Sequence, residues 1–445
     1  MIRYIFFLYR LFNGEKMKID KWNYEKLDET VYTYETTSNL KAFVVPTRGY
    51  SKKFAALGVH YGAINKEFII SGNKDKTRTT DGIAHFLEHK LFEQKDGNVM
   101  EKFCSLGAKP NAATTLNHTV FHFTCTDGFR ENLCLLLDFV QNPYITEECI
   151  VREKGIIGQE ILMNKDNPHR RVLSNLLSAF YVDNPAKIDI TGTVESISNI
   201  DKDLLDLCFN VFYHPSNMVL IVVGDVDPLG VFEEIEAGIK RKEPHADIIR
   251  IFPQDSPVLA MNYTEQQLEV SNPIFRMGFK DNTLDTKGIE CMKREAAVRI
   301  LLDMLIGKSS ELYNDLYREG LVNSSFRSDY TIEECYAFSK FGSESADPLK
   351  VMERFSKLIV GIHKYGLDET SFNRLRNVHI GRFIRQLNSL ESIARLFVPW
   401  HFKGAILFDY LDVYNNITFE YINYIFKDHF NLDSLALSVI RPLHE

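Results

Sequence analysis

Two kinds of apolar pattern alternate along the chain, one typical of strands and one typical of helices. Short segments such as residues 41–46 and 120–125 are typical of β-strands. Residues 146–162 instead place Ile150, Ile157 and Ile161 on one face of a helix. Because each half of the chain mixes such strands with long amphipathic helices, the sequence predicts an α+β fold with a sheet on one side and helices on the other.

The pattern that closes the first half returns at the end of the chain. Residues 209–223 have the pattern of a helix end followed by a buried strand, and residues 426–440 repeat it at a constant offset. Residues 240–258 are charged and carry prolines, as is typical of a linker. The sequence therefore predicts two related domains, residues 23–239 and 259–445, that follow an N-terminal extension of residues 1–22.

The N-terminal extension is apolar and aromatic but short. Residues 1–12 cannot span a bilayer, and their apolar run is shorter than the core of a signal peptide and has no small-residue cleavage site after it. A more ordinary polar start begins at Met17. We interpret residues 1–16 as either a misassigned start or a disordered extension.

Composition narrows the class of protein. The 445 residues are 45% hydrophobic and 25% charged, which is ordinary for a globular protein without membrane spans. The net charge of −8 argues weakly against a nucleic-acid partner. The seven cysteines include no Cys-x-x-Cys pair, so they predict neither a disulfide framework nor a thiolate zinc site. This usage favours a reducing compartment, and we expect a cytoplasmic location.

The segment His85-Phe86-Leu87-Glu88-His89 is the strongest chemical feature of the sequence. Residues four apart lie above one another on a helix, so His85 and His89 can bind one metal ion while Glu88 reaches a water molecule on it. This inverted order of His-Glu-x-x-His is a peptidase motif. Thr79, Thr80 and Asp81 are expected to cap the start of the helix. The alternative is a buried helix with two incidental histidines.

A catalytic zinc site needs a third protein ligand, which residues 146–162 can supply. Thr146 is expected to begin a helix there, and Glu153 and Glu160 lie seven apart on one face beside the apolar stripe. We assign Glu160 as the third ligand and Glu153 as an acid that orients a ligand. Either glutamate could instead belong to a solvated face.

These motifs together resemble the family of pitrilysin, insulin-degrading enzyme and mitochondrial processing peptidase. Further short sequence motifs similar to those of the family follow in the same order, namely residues 111–114 with 118–119, residues 192–197, residues 212–218 and residues 222–225. The resemblance is dense over residues 38–228 and closest to bacterial single-length members that act as two-chain complexes. The number of residues between His89 and Glu160 is slightly smaller than is usual in the family. A shorter loop between the two helices would account for the difference.

The resemblance implies the architecture, the cofactor and the roles of residues. We expect two related domains of processing-peptidase type, each with a mostly antiparallel sheet and helices on one face, and one Zn²⁺ per chain. The implied activity is that of a zinc metalloendopeptidase in which Glu88 activates a zinc-bound water. Asn111 and Ala112, followed by the strand of residues 119–124, are expected to bind extended or unfolded peptides as an added strand. Asn111 could alternatively be a turn residue after Pro110.

The second half lacks the metal-binding residues. Its equivalent helix is predicted over residues 296–305, which contain no histidine. The family usually places an arginine and a tyrosine in a second half, but here Tyr317 stands at the arginine's place and Asn323 near the tyrosine's. We therefore expect a related partner chain that supplies the Arg/Tyr pair. A catalytically silent assembly subunit and a purely structural zinc site remain the alternative interpretations.

Overall fold

The computed structural model describes residues 4–12, 15–72, 75–241, 246–284 and 286–443, and its strands form two main sheets. The strands are β1 (Tyr4–Phe12), β2 (Glu15–Tyr24), β3 (Glu29–Glu35), β4 (Lys41–Pro46), β5 (Lys53–Val59), β6 (Glu67–Ile70), β7 (Thr77–Arg78), β8 (Glu93–Gln94), β9 (Gly97–Asn98), β10 (Lys109–Thr114), β11 (Thr119–Cys125), β12 (Met218–Gly224), β13 (Ile248–Arg250), β14 (Tyr263–Leu268), β15 (Ile274–Asp281), β16 (Arg327–Ile332), β17 (Ala337–Gly342) and β18 (Leu435–Pro442).

Helices fill most of the sequence between these strands. They are α1 (Ile83–Phe92), α2 (Val99–Ser105), α3 (Phe129–Gln141), α4 (Glu147–Lys165), α5 (Pro168–Phe180), α6 (Val194–Ser198), α7 (Lys202–Phe212), α8 (Pro228–Gly238), α9 (Gly288–Ile306), α10 (Glu311–Arg318), α11 (Pro348–Tyr365), α12 (Glu369–Gln386), α13 (Leu390–Phe402), α14 (Tyr410–Asn416) and α15 (Phe419–His429), with 3₁₀ turns at Glu25–Leu27, Pro185–Lys187, Pro215–Asn217, Leu407–Asp409 and Leu432–Ser434. Within the described ranges, no helix has the length and apolar character needed to cross a membrane.

The first sheet has eight strands in the order β1-β2-β3-β4-β12-β5-β11-β10. Its neighbouring strands are antiparallel except β4 and β12, which run parallel. Of the two interpretations of residues 1–16, a misassigned start stays a prediction. A disordered extension is wrong for the part that is described, because β1 and β2 pair with each other and β2 pairs with β3. Residues 1–3, 13 and 14 of that extension lie outside the described residues.

The second sheet has five strands in the order β14-β18-β15-β17-β16. Strands β14 and β18 are parallel and the other neighbours antiparallel. The order matches β4-β12-β5-β11-β10 of the first sheet strand for strand, and β12 and β18 are the strands of the sequence repeat. The predicted α+β fold of two related, mostly antiparallel domains is confirmed.

Each sheet packs against helices of its own half on one face and against a helix of the other half on the opposite face. In the first half, α1, α3, α7 and α8 share a core with Leu57, Leu220 and Val222. The opposite face of that sheet packs against Phe397 and Val398 of α13. Helix α5 of the first half likewise covers the second sheet at β18. This exchange of helices fixes the two halves against each other through apolar contacts.

The segment predicted as a linker also forms structure. Strand β13 pairs with β6, so residues 248–250 belong to a small sheet of the first half. Asp255 forms a buried ion pair with Lys280 of β15, with 2.5 Å between Oδ2 and Nζ. The segment therefore ties the two halves together; its residues 242–245 lie outside the described part of the chain.

Candidate metal centre

Helix α1 begins at a glycine that no other residue could easily replace. Gly82 is the N-cap, has a φ of +88°, and offers no side-chain cap. A Cβ atom there would lie 2.5 Å from the carbonyl oxygen of Thr191. The predicted capping by Thr79, Thr80 and Asp81 is wrong, because these side chains fix the preceding segment instead. The Thr80 hydroxyl, for example, donates to the carbonyl oxygen of Ser196 at 3.0 Å.

Helix α4 packs beside α1 and starts as the sequence predicts. The side chain of Thr146 accepts a hydrogen bond from the backbone N–H of Cys149 at 3.3 Å, and Ile150, Ile157 and Ile161 are buried. The buried stripe anchors the helix so that Glu160 faces α1. This packing brings residues that are distant in sequence into one site.

The structure brings His85, His89 and Glu160 together. Nε2 of His85 lies 3.7 Å from Oε2 of Glu160, and Nε2 of His89 lies 3.8 Å from the same oxygen. One ligand atom from each residue lies within 4.8 Å of the others. In the part of the chain that the structure describes, no other group of three such residues meets this criterion.

The donor set fits a zinc ion. Two imidazole nitrogens and one carboxylate oxygen are a standard ligand set for catalytic zinc. Bonds of about 2.0–2.2 Å in tetrahedral geometry separate ligand atoms by roughly 3.3–3.6 Å, close to the two distances above. Burial, followed by the neighbouring His89, lowers the pKa of His85 to about 3. The imidazole is therefore neutral at pH 7, the form that binds metal.

Glu153 contacts a histidine rather than completing the ligand group. Its Oε1 lies 2.9 Å from Nδ1 of His89. Burial alone would raise the pKa of Glu153, but the contacts with His89 and then Lys90 outweigh burial and leave that pKa lowered. For His89, burial lowers the pKa, yet the neighbouring carboxylates, Glu153 first, outweigh burial and the pKa is raised overall. The contact favours a proton on Nδ1, which leaves Nε2 available to a metal.

Glu88 projects from α1 towards strand β10. The hydroxyl of Thr114 donates a hydrogen bond of 2.5 Å to its Oε2. Burial raises the pKa of Glu88, and the hydrogen bond from Thr114 opposes this rise without cancelling it. A raised pKa suits a carboxylate that must both accept and return a proton near neutral pH. The sequence predicts no role for Thr114, although this residue ends the segment Asn111-Ala112-Ala113-Thr114.

Strand β10 passes the site as an edge of the first sheet. It pairs with β11 on one side and ends the strand order on the other. Asn111 lies within this strand, so the alternative of a turn residue is wrong. Its side-chain oxygen accepts a hydrogen bond of 2.9 Å from the backbone N–H of Ala112. At the strand edge beside Glu88, the backbone N–H of Ala112 is therefore hydrogen-bonded by the neighbouring side chain of Asn111.

Two cavities flank this strand where it passes the site. One, of about 650 Å³, is lined by residues of both halves, including His85, Glu160, Arg170, Leu177 and Phe338. The other, of about 620 Å³, is lined by residues that include His89, Asn111, Arg152 and Glu153. Glu88, His89 and Ala112 border both cavities.

The residues at the expected places of the arginine and tyrosine do not reach the site. Tyr317 is 52% exposed, and Asn323 donates to the carboxylate of Glu344 at 3.2 Å. Arg318, the arginine that directly follows Tyr317 in the sequence, pairs with Asp315 at 3.0 Å. None of these residues is among those described as lining the two cavities.

Two family models match consecutive parts of the chain. The family described as insulinase, peptidase family M16, matches residues 68–194. The family described as the peptidase M16 inactive domain matches residues 199–378. The first match contains all residues of the candidate site.

Individual relatives extend over nearly the full length. The uncharacterized zinc protease YmfH of Bacillus subtilis is 36% identical over 422 residues, which cover 94% of this chain and 98% of that protein. A crystal structure of a protein described as M16-like peptidase, from Alicyclobacillus acidocaldarius, has a TM-score of 0.90 at 32% identity and covers 93% of this chain and 98% of its own. Pitrilysin, at 14% identity, shares the fold with a TM-score of 0.74 over 98% of this chain and 46% of its own.

Proposed function

Because the chain belongs to the insulinase family of M16 peptidases, we propose that it is a zinc-dependent metalloendopeptidase. The observation that carries this proposal is the convergence of ligand atoms from His85, His89 and Glu160 within 4.8 Å. Relatives of this chain are named zinc proteases, which supports the same cofactor. His85, His89 and Glu160 would hold one Zn²⁺.

Zinc in such a site supplies activation of a water molecule and polarisation of the scissile carbonyl. Glu88 is the general base that accepts the proton of the attacking water and later delivers it to the leaving amine. Thr114 holds the Glu88 carboxylate in place through its 2.5 Å hydrogen bond. Glu153 orients His89 through the contact of 2.9 Å at Nδ1.

The substrate class follows from the edge strand. An extended peptide can pair with the free edge of β10 and place one peptide bond beside Glu88. Ala112 and Asn111 would contact the peptide backbone, and the amide of Ala112 would exchange its bond to the Asn111 side chain for a bond to the substrate. Backbone pairing selects extended or unfolded segments more strongly than a particular sequence.

A related second chain is the proposed partner. Tyr317, Arg318 and Asn323 are not among the residues that line the two cavities, so these positions do not supply the arginine and tyrosine that the family resemblance implies at the substrate carbonyl. A partner that carries this pair would complete the site. Removal of one positioned oxyanion donor costs about 10²–10³ in kcat, so the chain alone is expected to be slow.

The decisive test compares Glu88→Gln with the unaltered protein. Glu88→Gln keeps all three ligands, so bound zinc should stay at one per chain while cleavage of an unstructured quenched-fluorescence peptide falls by about 10²–10⁴. Glu131→Gln, an exposed glutamate on α3, is the matched control and should leave both unchanged.

Other outcomes separate the alternatives. Equal peptidase activity in Glu88→Gln and the unaltered chain would refute the proposed mechanism. Zinc binding without peptidase activity, even with a candidate partner, would indicate a silent subunit. Full activity of the isolated chain would refute only the partner.

A further inference from the structure

A fully buried lysine follows the second histidine of the motif. The side chain of Lys90 is 0% exposed and lies between α1 and α4. Burying an ammonium group is costly unless it is paired and hydrogen-bonded. The ammonium group of Lys90 therefore requires neighbouring groups that stabilise its positive charge.

Two carboxylates and one carbonyl surround the ammonium group. Lys90 forms an ion pair with Glu93, one turn later in the chain. Its Nζ also lies 3.5 Å from Oε2 of Glu153 and 3.4 Å from the carbonyl oxygen of Cys149. These contacts join the end of α1 to the first half of α4.

Both oxygens of the Glu153 carboxylate contact other side chains. Oε1 contacts Nδ1 of His89 at 2.9 Å, and Oε2 faces the ammonium group of Lys90 at 3.5 Å. Glu153 cannot rotate without breaking one of these contacts. By contrast, Nδ1 of His85 is buried and has no hydrogen-bond partner in the described part of the chain. Only one histidine of the motif is therefore oriented by a carboxylate.

Glu93 does not depend on Lys90 alone. It also pairs with Arg152, and its Oε1 lies 3.1 Å from Sγ of Cys149. The negative charge of Glu93 is thus balanced by two cations, Lys90 and Arg152. The contact to Glu153 is the one that links Lys90 to a metal ligand.

We propose that Lys90 is a positioning residue for His89. Its ammonium group fixes the Glu153 carboxylate, which accepts the Nδ1–H of His89 and keeps Nε2 directed at the other two ligands. This inference rests on the proposed zinc site and adds a residue to it. Its effect is on metal affinity and ligand geometry, because Lys90 does not border either of the cavities described at the site.

The test measures zinc affinity by chelator competition and the visible absorption spectrum of the cobalt-substituted protein. Lys90→Met keeps the length and apolar stem of the side chain but removes the charge. Loss of a group that orients a metal ligand typically weakens metal affinity 10–100-fold, and the same loss is expected here together with an altered cobalt spectrum. Lys90→Arg keeps the charge and should lie closer to the unaltered protein in both measurements.

Lys280→Met is the matched control for loss of a buried lysine. Lys280 is 4% exposed, pairs with Asp255 at 2.5 Å, and lies on β15 of the second half. Its loss should lower stability without changing zinc affinity or the cobalt spectrum. A similar fall in zinc affinity in both variants would show a general loss of stability and overturn the positioning role.

The double variant Lys90→Met/Glu93→Gln removes the cation together with its nearest anion. It keeps the buried charge balanced, so it serves as the test if Lys90→Met alone does not fold. The double variant should remain 10–100-fold weaker in zinc affinity, because Glu153 still lacks its second contact. Recovery of the unaltered affinity would mean that Lys90 only neutralises Glu93, and would overturn the proposal. Zinc affinity and the cobalt spectrum can be measured without peptidase activity. A failure of the proposed function can therefore be distinguished from a failure of the role proposed for Lys90.

Discussion

The hydroxyl of Thr114 donates a hydrogen bond of 2.5 Å to Oε2 of Glu88, which joins the edge strand β10 to the motif helix α1. The contact fixes the direction of Glu88, the proposed general base, relative to the strand on which a peptide would lie. It also links two residues that are far apart in sequence, on a strand and a helix that carry separate parts of the proposed reaction.

Thr114→Val should lower kcat/KM about tenfold or more while zinc content stays at one per chain. A hydrogen bond to a charged group contributes about 1.5–3 kcal/mol, and about 1.4 kcal/mol is tenfold in rate. The assay is cleavage of an unstructured peptide by the variant with the proposed partner present. Thr114→Ser keeps the hydroxyl and should have the kcat/KM of the unaltered chain. Thr124→Val, on the neighbouring strand β11, should also leave kcat/KM unchanged. An unchanged rate in Thr114→Val would contradict a role in placing Glu88.

Glu153→Gln should weaken zinc binding by about 10–100-fold, because a neutral amide accepts the Nδ1–H of His89 less strongly than a carboxylate. Chelator competition at pH 7 measures the affinity. Glu148→Gln, an exposed position on the same helix, is the control and should bind zinc as the unaltered chain does. Equal affinity in the two variants would show that the contact of 2.9 Å between Glu153 and His89 has no effect on the metal.

The sequence predicts the parts of this molecule that depend on local spacing. His85 and His89 lie on one helical face because they are four residues apart, and Ile150, Ile157 and Ile161 are buried together on α4 as the period of a helix requires. The repeat at residues 209–223 and 426–440 correctly predicts two related domains, whose strand orders correspond.

What the sequence does not predict depends on contacts between distant segments. An amphipathic pattern shows that α5 and α13 are buried on one side, but not that each covers the sheet of the other half. Thr114 has no local feature that points to Glu88. Lys90 interrupts an apolar helix pattern, and only the position of Glu153 on α4 shows what balances its charge.

Gly82→Ala should destabilise the protein and lower its zinc affinity. The φ of +88° is unfavourable for alanine, and the new Cβ would lie 2.5 Å from the carbonyl oxygen of Thr191. We expect a loss of more than 1 kcal/mol, seen as a lower urea midpoint. Gly155→Ala on α4 is the matched control, because nothing lies within 4 Å of its added Cβ. That variant should be stabilised by roughly 0.5–1 kcal/mol, so the two alanine substitutions should change stability in opposite directions.

Asp281→Asn tests a buried network in the second half. The Asp281 carboxylate accepts hydrogen bonds from Arg294 at 2.8 and 3.0 Å and from the hydroxyl of Tyr330 at 2.6 Å. Breaking a buried ion pair from one side costs about 3–5 kcal/mol, so the variant should unfold at a clearly lower urea concentration at pH 7. Asp433→Asn, exposed in the same half, should change little.

The effect of Asp281→Asn on stability should depend on pH. Burial raises the pKa of Asp281, but His429 and Arg294 outweigh burial and hold that pKa below its usual range. A carboxyl whose pKa is lower in the folded than in the unfolded chain contributes its full stability above the unfolded pKa, about 3.9, and loses it as the pH falls towards the folded value. The difference in unfolding free energy between the unaltered chain and Asp281→Asn should therefore be constant from pH 7 to 5 and shrink below about pH 4. A difference that grows on acidification would show that Asp281 is protonated in the folded protein.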